Sequence, residues 1–384
     1  MDAKAGVRER LESARDELVD ISHRIHGQPE LGYEEERAHA WLTEYLDQAG
    51  FAVTPGAYDM PTAFTATVGS GPLHIGICAE YDCLPAVGHA CGHNILAAMG
   101  VGAGIAAAKI ADEVGLTITV FGTPAEEGGG GKIKMLEAGA FDDVHAAMMV
   151  HPAPLDIVEL PIIAADHFDV YYTGKEAHAS ASPEVGINAA DALTIAQTAI
   201  GLLRQHIKQT DRIHGIVTKG GDAANIVPAH TSAHYMVRAA SLGELHEIRR
   251  RVKACFDAGA LATGASVEYE DSVAAYAEMH HDPRMAAIYK RNAEAAGRTF
   301  VDLGAASDRM AASTDMGNVS LKIPSIHPSI GIESLPAVNH QPEFTAQCVK
   351  PAADKAVFDG ALAMAWTCVD LATDEAERDR LISA

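Results

Sequence analysis

The chain has 384 residues, a length that exceeds a usual single hydrophobic core and favours two domains. It carries 29 Lys and Arg against 52 Asp and Glu, so its net charge of −23 would repel nucleic acid phosphates and anionic lipids. We therefore expect neither a nucleic acid partner nor a membrane partner.

The first 20 residues are charged and helical in pattern, without the apolar stretch of a signal peptide. No window of the sequence is expected to reach the roughly 18 apolar residues of a membrane-spanning helix. Six cysteines without an export signal favour reduced thiols, and we expect a cytoplasmic protein.

The first 165 residues alternate between helical and strand patterns. The predicted helices are 7–26, 33–49, 92–112 and 132–140, and the predicted strands are 73–79, 116–122 and 145–150. Strands that alternate with helices indicate an α/β layer architecture.

The pattern changes near residue 165 to strand, helix, strand, strand, helix and strand. These elements are predicted at 167–174, 187–207, 212–220, 231–239, 242–264 and 266–273. The order β-α-β-β-α-β is typical of a ferredoxin-like domain. We predict that residues 166–279 form a domain inserted into an α/β domain built from 1–165 and 280–384, which ends in a helix at about 345–370.

Polar side chains follow several strands of the predicted α/β domain at the point where each strand ends. They are Glu80, Asp82, His89, Cys91, His93, Glu126, Glu127 and His151. In open α/β sheets, ligands bind in the crevice beyond the carboxyl ends of the strands. Each residue alone has an ordinary explanation, such as a surface histidine, a solvated glutamate pair or a core cysteine, but all of these explanations together are improbable.

Thiolate, imidazole and carboxylate ligands together suit a borderline-soft divalent ion, zinc first. More than four candidate ligands suggest two metal ions in one site. Of the adjacent Glu126 and Glu127, one would bind metal and the other would take a proton from an activated water and pass it to a leaving amine.

A second interpretation is a cysteine nucleophile, Cys91, with His93 as its base. A helix N-terminus would lower the pKa of such a thiol. This interpretation leaves Glu126, Glu127 and His151 without a role.

Taken together, the motifs resemble a family of di-metal metallopeptidases that includes aminoacylase, carboxypeptidase G, the indole-acetyl-amino-acid hydrolases and p-aminobenzoyl-glutamate hydrolase. The resemblance runs from "HGQPELGYEE" through "EYDCLPAVGHACGHN", "TPAEEGGGGK" and "VHP" to "NHQPEF" at 339–344. It implies two divalent metal ions in an α/β domain interrupted by a βαββαβ lid or dimerisation domain. The metal ligands that it implies are Cys91, His93, Glu127, His151 and His340. It also implies Glu126 as the general acid/base and Asp82 as a support for the ligands.

The segments "GKEAHASASPEVGINAADA" and "GGDAANIVPAHTSAHYMVR" resemble parts of the family's inserted domain. The first implies that His178 reaches the active site of a partner subunit in a homodimer and stabilises an oxyanion. The second implies that Asn225 and Arg238 hold the carboxylate of the substrate, for which an Arg fork is well suited.

One departure concerns the run "CGHNILA", where the indole-acetyl-amino-acid branch typically has Asp after the histidine and a further His two residues on. Asn94 and Leu96 occupy those places here. With "STDMGNVS" at 313–320, this resembles the aminobenzoyl-glutamate hydrolase branch, which includes β-alanyl-lysine type dipeptidases. The sequence assigns no role to "STDMGN" or to His89.

The sequence therefore predicts a cytoplasmic, homodimeric di-metal amidohydrolase. Its small-molecule substrate would be an N-acyl amino acid, an aminobenzoyl-glutamate-like compound or a dipeptide with a free carboxylate. Zinc suits Cys91 best, while manganese, cobalt or nickel could also serve. The alternatives are a catalytically silent metal-binding scaffold and a cysteine amidase.

Overall fold

The computed structural model describes residues 3–271, 273–304 and 312–384. The chain divides into two compact units: the first unit is Met1–Pro161 with Met279–Ala384, and the second unit is Ile162–Glu278. These boundaries lie within a few residues of the predicted ones. The predicted α/β class is confirmed, because a mixed sheet packed by helices forms the first unit.

The strands of the described residues follow the predicted order closely. They are β1 (Ala52–Pro55), β2 (Phe64–Gly69), β3 (Leu73–Ala79), β4 (Leu116–Gly122), β5 (Ala146–Met148), β6 (His151–Ala153), β7 (Ala164–Thr173), β8 (Arg212–Lys219), β9 (His230–Ala239), β10 (Ser266–Asp271), β11 (Ser325–Ile326) and β12 (Ser329–Gly331). The sequence analysis missed β1, which is mostly exposed, and β2, in which apolar Phe64, Ala66 and Val68 alternate with threonines.

The helices of the described residues differ from the predicted ones mainly at their ends. They are α1 (Ala3–Gly27), α2 (Glu36–Gln48), α3 (His93–Ala108), α4 (Ala111–Val114), α5 (Gly131–Glu137), α6 (Ala189–Leu203), α7 (Leu242–Thr263), α8 (Pro283–Ala295), α9 (Met316–Ser320), α10 (Pro342–Gln347), α11 (Pro351–Thr373) and α12 (Glu375–Ile382). The predicted helix 345–370 is two helices, because Pro351 begins a new one.

The sheet of the first unit has the strand order β1-β2-β4-β3-β5-β11. β3, β4, β5 and β11 run parallel, whereas β1 and β2 form an antiparallel edge. β3 and β4 pair along their whole length, from Leu73 with Leu116 to Ala79 with Gly122. The loops that begin at Glu80 and Thr123 therefore leave the sheet at the same edge.

α3 is buried from His93 to Ala107 and packs against β3, β4, α1 and α11. Its small residues permit this closeness: a Cβ on Gly104 would lie 2.4 Å from a methyl group of Val120. α11 corrects the expectation that no segment is apolar enough to span a membrane, because it passes that test by length and composition. Of its most apolar window, 89% is buried inside the protein, as in a core helix.

The second unit has the predicted β-α-β-β-α-β order, with an antiparallel sheet ordered β10-β7-β9-β8. α6 and α7 pack together on the sheet face that carries Phe168, Val170 and Val237. Alternate residues such as His234 and Arg238 belong to the opposite face, which is more polar.

Candidate metal centre

The loops at the carboxyl ends of β3, β4 and β5 bring the predicted ligands together with the segment before α10. Gly92 precedes α3 with a φ of 80°, and a Cβ there would lie 2.8 Å from Cβ of Pro152. The close approach of these loops thus requires glycine. His340 also has a positive φ, of 70°, and its backbone N–H donates to the Ala90 carbonyl at 2.8 Å.

Three groups of donor atoms lie within 4.8 Å of one another in this centre. The groups are Cys91, His93 and His151; Cys91, Glu127 and His340; and Glu80, His93 and Glu126. Cys91 belongs to two groups, so its sulfur could be shared between two ions.

The spacings of the donors fit a metal centre. Two ligands of one tetrahedral zinc ion lie about 3.4 Å apart when both are nitrogen or oxygen, and about 3.6 Å apart when one is sulfur, given bonds of about 2.0–2.3 Å. Cys91 Sγ lies 3.5 Å from His151 Nε2 and 3.6 Å from His340 Nε2. Glu127 Oε1 lies 3.8 Å from His340 Nε2 and accepts no hydrogen bond from the described residues.

The hydrogen bonds of two histidines leave their Nε2 atoms available to a metal. His93 Nδ1 lies 2.9 Å from Asp82 Oδ1 and 3.0 Å from the Asp82 carbonyl, and His151 Nδ1 lies 2.8 Å from the Pro152 carbonyl. A carbonyl only accepts, so each Nδ1 carries the proton and donates it. Such partners fix the ring orientation of a metal-binding imidazole.

Asp82 connects two of the candidate ligands. Its Oδ1 accepts from His93, and its Oδ2 accepts from the backbone N–H of Glu127 at 2.9 Å. The Asp82 carboxylate therefore orients both residues without belonging to any of the three donor groups.

The turn that carries Glu126 is held by a residue that the sequence analysis did not single out. Ala125 has a φ of 56°, and its N–H donates to Glu35 Oε1 at 2.8 Å. Such a backbone conformation persists where its surroundings impose it. Burial raises the pKa of Glu35 to about 7. Burial and the neighbouring Glu80 carboxylate also raise the pKa of Glu126 well above its usual range.

A buried charged cluster lies behind the centre and was not predicted. Lys132 Nζ donates to Glu80 Oε1 and, at 2.7 Å, to Asp315 Oδ1, while its backbone N–H donates to Asp315 Oδ2 at 2.8 Å. All three residues are 0% exposed. Burial alone would lower the pKa of Lys132, but the Asp315 and Glu80 carboxylates raise it well above the usual value. Asp315 thus gives the "STDMGN" segment a structural role.

His89 and Asn94 lie outside the three donor groups. Both are buried, and burial lowers the pKa of His89 to about 3, so its ring is neutral at physiological pH. The Asn94 amide donates to Ser22 Oγ at 2.9 Å and to the Cys348 carbonyl at 3.1 Å. Asn94 therefore ties α3 to α1 and to the end of α10.

The second unit contains His178, Asn225 and Arg238. His178 and Asn225 are exposed and neighbouring, because the Ala179 N–H donates to the Asn225 carbonyl at 3.0 Å. The backbone N–H groups of Ser180 and Ala181 donate to His178 Nδ1, at 3.3 and 3.2 Å, so the neutral ring carries its proton on Nε2. Arg238 is partly buried on β9, beside Ala165 and Arg212.

The structure combines an α/β unit, which carries a thiol, imidazole and carboxylate cluster at its strand ends, with an inserted βαββαβ unit. Residues 79–356 match the model of Peptidase family M20/M25/M40. The protein is therefore a hydrolase of peptide or amide bonds. It belongs to that family, and the family resemblance seen in the sequence is confirmed.

Curated relatives and solved structures are consistent with this assignment. Xaa-Arg dipeptidase of Mus musculus is 39% identical over 94% of this chain and 87% of its own length. One of the two chains of p-aminobenzoyl-glutamate hydrolase of Escherichia coli is 34% identical over 67% of this chain and 58% of its own length.

Two solved structures share the fold. An aminobenzoyl-glutamate utilization protein from Klebsiella pneumoniae aligns with a TM-score of 0.73 and 19% identity over 94% of this chain and 97% of its own. A dinuclear metal binding peptidase from the M20 family of Bacillus subtilis aligns with a TM-score of 0.68 and 19% identity over 92% of this chain and 98% of its own.

Proposed function

We propose that this protein is a di-metal amidohydrolase that cleaves the amide bond of a small substrate with a free carboxylate. The observation that carries the proposal is the spacing of Cys91 Sγ, 3.5 and 3.6 Å from two imidazole Nε2 atoms, beside the adjacent Glu126 and Glu127. Cys91, His93 and His151 would hold one divalent ion, and Cys91, Glu127 and His340 the other. Zinc is the first candidate because of the thiolate.

The two ions would supply Lewis acidity, activating a water molecule and polarising the scissile carbonyl. Glu126 takes the proton of the attacking water and returns it to the departing amine, for which its raised pKa and its burial suit it. Asp82 keeps His93 and Glu127 oriented through both steps.

The second unit supplies the groups that recognise the substrate in this proposal. Arg238 and Asn225 bind the free carboxylate, and His178 of a partner subunit donates a hydrogen bond to the developing oxyanion. The Nε2–H tautomer of His178 supports that role, because Nε2 is then a donor.

Dipeptides with a basic C-terminal residue are the first substrates to test. The mouse and human relatives named Xaa-Arg dipeptidase are 39% and 36% identical across 94% of this chain. Aminobenzoyl-glutamate is the second substrate to test, because the match to the Escherichia coli hydrolase covers less of this chain.

The test is a panel of Xaa-Arg and Xaa-Lys dipeptides, aminobenzoyl-glutamate and N-acyl amino acids, scored by released amine on metal-reconstituted protein. Glu126→Gln should lower turnover about 10²–10⁴-fold and keep both metal ions. The exposed Glu113→Gln is the matched control. A Glu126→Gln enzyme with full activity would refute the mechanism, and a wild-type protein inert on the whole panel would favour the silent scaffold.

The cysteine amidase has less support. Burial and the Glu127 carboxylate raise the pKa of Cys91 well above its usual range, so without a metal the thiol is a poor nucleophile. A thiol enzyme would also keep its activity after treatment with a chelator, whereas the proposed enzyme loses it.

A homodimer, in the cytoplasm, is part of the proposal. β8 is an edge strand of the second unit, and its Ile216 and Val217 are 64% and 45% exposed, as is Leu202 of α6 at 61%. An exposed apolar edge strand is a natural pairing surface.

Complementation tests the dimer. The two variants Glu126→Gln and His178→Ala are each inactive alone. They are mixed so that their subunits exchange and form mixed dimers. If His178 acts across the dimer, one intact site forms in each mixed dimer, and about a quarter of wild-type activity returns. No recovery after verified exchange would contradict a role in the partner subunit.

A further inference from the structure

We propose that Glu80 is a further metal ligand of this centre, and that Lys132 and Asp315 are positioning residues that hold its carboxylate toward the ion. The inference rests on the proposed function, because it presumes the metal centre described above. It adds a residue to that centre and gives a reason for the buried charges behind it.

Two buried atoms face each other without a hydrogen bond. Glu80 Oε2 lies 3.3 Å from His93 Nε2, yet neither atom has a hydrogen-bond partner among the described residues. Both side chains are 0% exposed, so bulk water does not reach them. A buried polar atom left unpaired is costly, and a pair of them points to a missing partner common to both.

A proton does not explain the pair well. His93 Nδ1 donates to Asp82, and Nε2 forms no hydrogen bond of normal geometry with Glu80 Oε2 even if it carries a proton. A cation that binds both atoms accounts for this close spacing without a hydrogen bond. The separation of 3.3 Å is close to the roughly 3.4 Å expected of two ligands of one tetrahedral ion.

The other carboxylate oxygen of Glu80 is already engaged. Lys132 Nζ donates to Oε1 of Glu80 and to Oδ1 of Asp315, and the Lys132 backbone N–H donates to Oδ2 of Asp315. These bonds fix the carboxylate of Glu80 with Oε2 turned toward His93. Glu80, His93 and Glu126 accordingly form one of the three donor groups.

The charges lead to the same conclusion. One ammonium and two carboxylates, all buried, leave one negative charge without a counter-charge inside the cluster. A buried charge needs a partner, and a divalent ion beside Oε2 would supply it. A purely structural cluster would need no such ion and would leave metal affinity unaffected by the identity of residue 80.

The test is metal binding by Glu80→Gln, which requires no turnover. Its amide oxygen can still accept from Lys132, while an amide nitrogen replaces the second carboxylate oxygen. Metal-free protein is titrated with Co²⁺ against a competing chelator, and the visible absorption of the bound cobalt reports its ligand geometry. Glu377→Gln is the control, a buried glutamate of the first unit that pairs with Arg284 and Arg380.

We expect Glu80→Gln to weaken one of two cobalt sites at least tenfold and to change its absorption bands, since even residues that only support a ligand affect affinity 10–100-fold. Glu377→Gln should bind as wild type does. Lys132→Met should weaken the same site. If Lys132→Met does not fold, the cobalt titration of Glu80→Gln alone decides the proposal.

Two cobalt ions bound by Glu80→Gln with wild-type affinity and an unchanged spectrum would overturn the proposal. This outcome differs from failure of the proposed function. A wild-type protein that binds two cobalt ions but hydrolyses nothing on the panel would refute the activity and leave the role of Glu80 intact.

Discussion

The two units hold their candidate functional side chains in different ways. In the first unit, Glu80, Asp82 and His93 are buried, and each is fixed by hydrogen bonds or ion pairs to neighbouring side chains. In the second unit, His178 and Asn225 are exposed. The first arrangement pre-positions charged ligands at a high cost of desolvation, as a metal centre needs. The second arrangement leaves side chains open to a substrate or a partner subunit.

The largest expected effect concerns Cys91, whose thiolate would bind both ions in the proposed centre. Because Cys91 belongs to two donor groups, Cys91→Ala should release both ions and abolish detectable hydrolysis. Metal analysis by mass spectrometry and the dipeptide assay check this. Cys255→Ala, a half-buried cysteine of the second unit, should change neither. A Cys91→Ala protein that retains two ions would show that the sulfur is not shared.

The next prediction compares the buried ion pairs between side chains in the two units. Lys132→Met leaves Glu80 and Asp315 buried without their cation and should cost about 3–5 kcal/mol of unfolding free energy. Arg249→Met in the second unit should cost less, because Arg249 is 21% exposed where it pairs with Asp166 and Asp271. Urea unfolding of chelator-treated protein measures both, and equal losses would remove the contrast.

A third prediction separates substrate chemistry from metal binding. His178→Ala should lower kcat about 10²–10³-fold, the effect of losing one oxyanion donor, and should keep the full metal content. The exposed His206→Ala in the same unit serves as the control. Loss of metal from His178→Ala would mean that the second unit takes part in the centre itself.

The smallest effect is on the pH dependence of stability. The pKa of Glu35 is about 7 in the folded protein against 4.5 for a free glutamate, so folding favours the protonated form. The contribution of Glu35 to the free energy of unfolding is complete below pH 4.5. It is lost as the pH rises through 7, a change of about 3 kcal/mol.

Glu35→Gln should therefore remove this part of the decline in unfolding free energy between pH 5 and pH 8. Urea midpoints of chelator-treated protein measure it, with the exposed Glu34→Gln as the control. Parallel pH profiles for Glu35→Gln and wild type would show that Glu35 is not the titrating group.

Local patterns were sufficient to predict β3 and β4 to the residue, because both are short apolar runs with clear boundaries. They also indicated that the polar groups after these strands would meet at one edge. Patterns could not show that Lys132 bonds to Asp315, since 183 residues separate the two. The role of Glu35 could not be predicted from sequence patterns either, because it depends on the N–H of Ala125, 90 residues away.

The hydrogen bond from His340 to Ala90 joins segments 250 residues apart, on either side of the second unit in the chain. During synthesis, the first 161 residues emerge with most of the donors but without His340 or Asp315. A ribosome must therefore complete nearly the whole chain before the centre can close. We expect nascent chains released before residue 340 to expose an acidic, half-formed cluster, and metal loading to follow release of the chain rather than accompany its synthesis.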